Sequence, residues 1–82
     1  MGLVETWLEH YRARRLPKVG ALRDLNKRLG TRYQHGHLSR WERGLREPSL
    51  ETRREMARIV ASDEHPDWSP QQVNEFLNRY FV

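Results

Sequence analysis

Seven residues near the middle of the chain, Leu38-Ser39-Arg40-Trp41-Glu42-Arg43-Gly44, hold its densest chemistry. Wound as a helix, they put Leu38, Trp41 and the following Leu45 on one side, at i, i+3 and i+7. Arg40 and Arg43 fall on the opposite side, with Gly36 one turn earlier. Guanidinium groups offer planar, paired donors that match phosphates and the acceptor edge of guanine. Anion and base-edge recognition is therefore the chemistry on offer. Gly44 suits a helix end, Pro48 blocks further helix, and Ser49 is a good cap for the next one.

Other chemistries fare worse. His35 and His37 stand at i, i+2, which do not share a helical face, and the chain has no cysteine. No metal site or other cofactor is expected. Ser39, His37 and Glu42 make a triad on paper, but three positions on one short helix do not converge. No Gly-rich phosphate loop exists, so no catalytic residue is assigned and the chain reads as a non-enzyme. Glu42, next to the apolar face, is expected to pair with a nearby arginine, and Trp41 to lie in the core.

The charge distribution agrees with the anion reading. The 82 residues carry a net charge of +4. Residues 12–58 hold fourteen Lys and Arg against five acids, while both flanking segments are net acidic. A basic middle, mostly arginine, is the footprint of a polyanion-binding surface. No apolar run approaches the ~18 residues of a membrane span. The first residues lack the basic start and apolar core of a secretion signal. A cytoplasmic location is expected, in a bacterium or in the host if the chain is phage-encoded.

The elements that would position these residues are helices in a single domain over 1–82. Leu3, Val4, Trp7, Leu8 and Tyr11 form one stripe and predict a first helix over 3–15. Val19, Leu22, Leu25 and Leu29 predict a second over about 18–29, stopped by Gly30. The third starts near Tyr33 or Gln34 and ends near Arg43. The fourth opens at Ser49 and buries Leu50, Met56, Ala57 and Val60. Residues 62–67, containing Pro66, read as a loop. Ser69-Pro70 is a cap followed by proline at the first helical position, opening a fifth helix over about 69–81. There is no strand alternation, so the expected fold is all-α, five short helices.

Two helices joined by a Gly-containing turn, the second with exposed arginines, fit a helix-turn-helix over about 18–43. Arg40 is then the obvious base reader. Arg43, Arg46 and Arg23 or Lys27 are placed for phosphates. The order of residues resembles the lambda-repressor-like (Cro/repressor-type, XRE-like) family. The resemblance rests on Leu25-Asn26-Lys27-Arg28-Leu29-Gly30, on Leu38–Gly44, on Pro48-Ser49-Leu50-Glu51-Thr52, and on Met56, Ala57 and Val60. It covers roughly residues 19–61. It implies a five-helix DNA-binding domain, often dimeric on a palindromic operator, in which Gln34, His35, His37, Ser39 and Arg40 face bases and Arg43 and Arg46 hold phosphates. The chain departs from the family in a longer turn between Gly30 and Leu38, and in Asn26 where the family prefers a small residue.

The function expected from these features is sequence-specific binding of double-stranded DNA by a small transcriptional regulator, a repressor of bacterial or phage type. Trp68, Phe76, Tyr80 and Phe81 are more aromatic surface than one last helix needs, and are candidates for a homodimer interface. The alternative is a protein-interaction module, such as an antitoxin or a phage-encoded inhibitor, using the same bundle to hold a protein partner.

Overall fold

Helix-forming stripes separated by Gly and Pro dictate the architecture. The computed structural model describes residues 2–80, with side chains described for 2–79. Among these residues there are five α-helices and no strand. They are α1 (Leu3–Arg12), α2 (Lys18–Leu29), α3 (His35–Glu42), α4 (Leu50–Glu64) and α5 (Pro70–Tyr80).

Each boundary has a local cause. α2 stops at Gly30, whose φ of 69° is the left-handed conformation that ends a helix. α4 is capped by Ser49, whose Oγ accepts from the Thr52 amide at 3.2 Å. α5 opens on a reciprocal capping box. The Gln72 amide donates to Ser69 Oγ, and the Ser69 amide donates to Gln72 Oε1 at 2.7 Å. α1 ends three residues earlier than its stripe predicts. Arg15 takes φ 60°, and the Leu16 amide reaches back to the Tyr11 carbonyl at 3.0 Å. The chain thus turns off the helix before Pro17.

The core gathers around α4. Trp7 and Tyr11 of α1, Ala21, Leu22 and Leu25 of α2, Leu38 and Trp41 of α3, and Met56 and Ile59 of α4 form one buried cluster. Trp7, Leu25, Leu38 and Met56 are fully buried, each contributing about 2–3 kcal/mol of transfer free energy. A second cluster joins Ala57 and Ala61 of α4 to Val73 and Leu77 of α5. α4 therefore has α1 and α2 on one flank and α5 on another, while α3 rests on α1 and α2.

Three apolar assignments fail, each at a helix end. Leu45 is 68% exposed, because α3 has ended at Glu42 and Gly44 (φ 70°) redirects the chain, so helical spacing no longer applies to it. Leu50, first residue of α4, and Val19, second residue of α2, also face solvent. The expected loop at 62–67 is shorter, since α4 continues through Glu64. Its polar last turn is used: the Asp63 carboxylate takes both His10 and Arg14 of the α1 end.

Candidate nucleic-acid interface

α3 is only eight residues long, so its placement depends on the turn that leads into it. That turn is organised by Asn26 of α2. The Asn26 side-chain oxygen accepts from the Thr31 hydroxyl and from the Tyr33 amide, both at 2.8 Å. Its amide nitrogen donates to the Tyr33 carbonyl at 2.9 Å. One side chain thereby satisfies both backbone groups of Tyr33. Tyr33 in turn lays its ring edge-on against Trp41, with centroids 4.9 Å apart, and its hydroxyl shares a hydrogen bond with Thr52 Oγ1 at 2.8 Å. Thr52 is buried and also receives the Ser49 hydroxyl at 2.9 Å. The start of α3 is thus tied to α2 and to the first turn of α4. Sequence reasoning leaves Tyr33 between contacting a phosphate and packing the turn, and gives Asn26 no positioning role. The signal lies in a combination: a polar side chain in the last turn of α2, next to an irregular turn whose backbone groups need partners.

The predicted base-contact residues divide into two groups. Gln34, His35 and Arg40 are exposed, and Ser39 is half-buried beside Arg40. His37 is half-buried, and its Nδ1 accepts from the Gln34 amide at 3.1 Å while its ring meets Tyr33 edge-on. His37 therefore closes the first turn of α3. Leu38 and Trp41 anchor the opposite side of the helix in the core. Glu42 is paired, but with Lys18 at the start of α2 (2.8 Å) rather than with an arginine.

Among the predicted phosphate-contact residues, Arg23 and Lys27 lie one turn apart on the exposed side of α2, Arg43 caps α3, and Arg46 follows in the loop to α4. All four are exposed. Arg32, in the turn between α2 and α3, is a fifth exposed cation on this side that sequence reasoning passed over. Among the described residues, none of Arg23, Lys27, Arg32, Arg40, Arg43 and Arg46 has an ion-pair partner. The two acids between Val19 and Arg46 are both engaged elsewhere: Glu42 with Lys18, Asp24 with Tyr11 and Arg28.

The Asp24 site is built for structure. The Tyr11 hydroxyl donates to Asp24 Oδ2 at 2.5 Å and Arg28 Nε lies 3.1 Å away. Burial opposes ionisation of Asp24, but these two donors outweigh it and hold the carboxyl below its ordinary range. Burial, then the same carboxylate, pushes the Tyr11 hydroxyl well above the ordinary phenol range. Arg28 continues to Glu55, which also takes Arg58.

Of the dimer candidates, Trp68 is half-buried against the α4–α5 cluster and stacked on His65, with centroids 3.8 Å apart and planes 6° from parallel. Phe76 is 37% exposed, next to Trp68. Phe81 and the side chain of Tyr80 lie outside the described residues. Among the described residues, no three His, Cys, Asp or Glu side chains come together as a metal site requires, and no helix is long and apolar enough to cross a membrane. The chain matches no family model, no curated protein and no solved structure.

Proposed function

We propose that the protein binds double-stranded DNA sequence-specifically, with α2 and α3 acting as a helix-turn-helix of the lambda-repressor-like kind. The observation that carries this reading is the exposed side of α2–α3. It and the loop after it hold six exposed cations with no ion-pair partner among the described residues, while Asp24 and Glu42 are held by Arg28 and Lys18 of α2. Eight helical residues span about 12 Å, which fits along the major groove. α2 would lie across the backbone, with Arg23, Lys27, Arg32, Arg43 and Arg46 on phosphates. Arg40, flanked by Ser39 and His35, would read base edges, in the pairing that most often specifies guanine. The aromatic patch around Trp68 and Phe76 would join two copies, making a homodimer on a palindromic operator, and occupancy would repress by blocking polymerase.

In vitro selection of bound duplexes, followed by fluorescence anisotropy, tests this. The expected result is a palindromic consensus with half-sites about 34 Å apart centre to centre. Replacing Arg40 by Ala is expected to cut specific affinity about 10–100-fold and to relax one position of the consensus. Wild-type binding that ignores sequence, or that is unaffected by this substitution, refutes base reading by Arg40.

A second reading, a protein-interaction module, draws on Leu16 and Val19, 47% and 57% exposed beside the α1–α2 connection. Its test is a tight protein partner whose binding is weakened by Leu16→Ser and unaffected by Arg40→Ala.

A further inference from the structure

Gly36 is a residue of α3 whose type the fold does not require. Gly30 and Gly44 have positive φ and end helices. Gly36 has neither a positive φ nor a neighbour: a Cβ built on it meets nothing within 4 Å. Alanine would fit there and favour the helix, because glycine exposes backbone and loses more conformational freedom on folding. A helix of eight residues has little stability to spare for such a residue. The outward side of α3 explains its position. Gly36 and Arg40 stand four residues apart, one turn above the other, opposite buried Leu38 and Trp41. Side chains on a helix lean toward its N-terminus, so Arg40 lies on the face that Gly36 leaves bare, with no side-chain atom within 4 Å of where a Cβ at position 36 would stand.

We infer that Gly36 is the point of closest approach between α3 and the bases, its missing side chain setting how deep the helix sits in the major groove and whether Arg40 reaches a base edge. This rests on the DNA-binding reading above and assigns within it a residue that contributes no functional group. A side chain at position 36 would act as a spacer. It would lift Arg40 off the base edge, while the phosphate contacts of α2 and the loops, being long and flexible, would adjust. Specific affinity would fall and sequence-independent affinity would not.

The test is a size series at this position, Gly36→Ala and Gly36→Leu, both better helix formers than glycine. Thermal unfolding and anisotropy are read on the same samples, against the selected duplex and a scrambled one. The melting temperature is expected to rise in both variants. Affinity for the selected duplex is expected to fall about tenfold for Ala and further for Leu, with the scrambled duplex changed by less than about twofold. Selected-duplex affinity that is unchanged, or that rises with the melting temperature, overturns the inference and leaves the DNA-binding reading standing. Equal losses on both duplexes also overturn it, since they show a general disturbance of the surface. A wild-type chain without duplex preference overturns the reading itself, and this inference with it.

Discussion

The two sides of α2 treat charge in opposite ways. Toward α1 and α4, charges are consumed in pairs. Asp24 holds Tyr11 and Arg28, Glu55 holds Arg28 and Arg58, and Asp63 holds His10 and Arg14. Even the polar contacts with α5 follow suit, with Arg58 donating to Asn74 at 2.8 Å. Toward α3, Lys18 pairs with Glu42, but among the described residues Arg23, Lys27, Arg32, Arg40, Arg43 and Arg46 have no ion-pair partner. Similar arginine content thus does two jobs. Paired arginines set helix against helix, whereas unpaired ones leave a positive field at the surface, which on the proposed reading faces DNA. Composition alone does not distinguish the two, and the pairing does.

The largest effect that would blur this division is expected at Asn26, which belongs to the fold by its contacts and to the proposed DNA face by its consequence. Asn26→Ala strands the Thr31 hydroxyl and both backbone groups of Tyr33. A loss of about 2 kcal/mol is expected from denaturant unfolding. DNA affinity should fall as well, at temperatures where the variant remains folded. A variant that loses stability and keeps full affinity would show that the turn does not position α3.

A smaller effect, confined to the paired side, is expected for Asp24→Asn. Loss of the charge at Tyr11 and Arg28 should cost about 1 kcal/mol near neutrality and leave DNA affinity unchanged. The pH dependence has a definite sign. The folded-state value of Asp24 is depressed, so its contribution is complete above the ordinary carboxylate range, near 3.9, and disappears as pH falls through the lowered value. The stability difference between wild type and variant should accordingly shrink from about pH 4 downward in urea titrations. A difference that stays constant through that window would remove Asp24 ionisation as its source.

The smallest effects make a matched pair. Arg12→Ala breaks a solvent-exposed contact to Glu9 at 3.7 Å, and should shift stability by less than about 0.5 kcal/mol with no change in DNA affinity. Arg43→Ala should be equally quiet in stability. It should weaken binding to all duplexes alike and lower the slope of log affinity against log salt by about one. If both arginines behave alike in the salt titration, the contrast between the two sides carries no functional meaning.

Much of the fold was legible because it is local. The α2 limits, the Ser49 cap and the Ser69-Pro70 start all follow from residue types within one turn. What was not legible depended on where a helix stops. Leu45, Leu50 and Val19 were assigned to buried faces by spacing, and spacing loses its meaning at the last or first turn. The site shows the same limit. The exposure of Arg40 and Arg43 follows from helical periodicity, but the contacts of His37, Asn26 and Tyr33 depend on closure of a turn in three dimensions. His37 reads as a base contact in sequence, and the structure gives it a hydrogen bond at the beginning of its own helix.

The tie from Tyr33 to Thr52 bears on motion as well as position. An eight-residue helix is below the ~12–15 residues needed for marginal stability alone in water. α3 therefore borrows its order from Leu38 and Trp41 in the core and from the Asn26–Tyr33–Thr52 chain at its start. To open, it must release α4 as well. Its amide protons, measured by hydrogen exchange, should open with nearly the same free energy as those of α4, rather than fraying first as a short surface helix would. On the proposed DNA-binding reading, a helix held in this way would meet its target already formed. Association would then be free of a folding step, and encounter rates would be set by the cationic field.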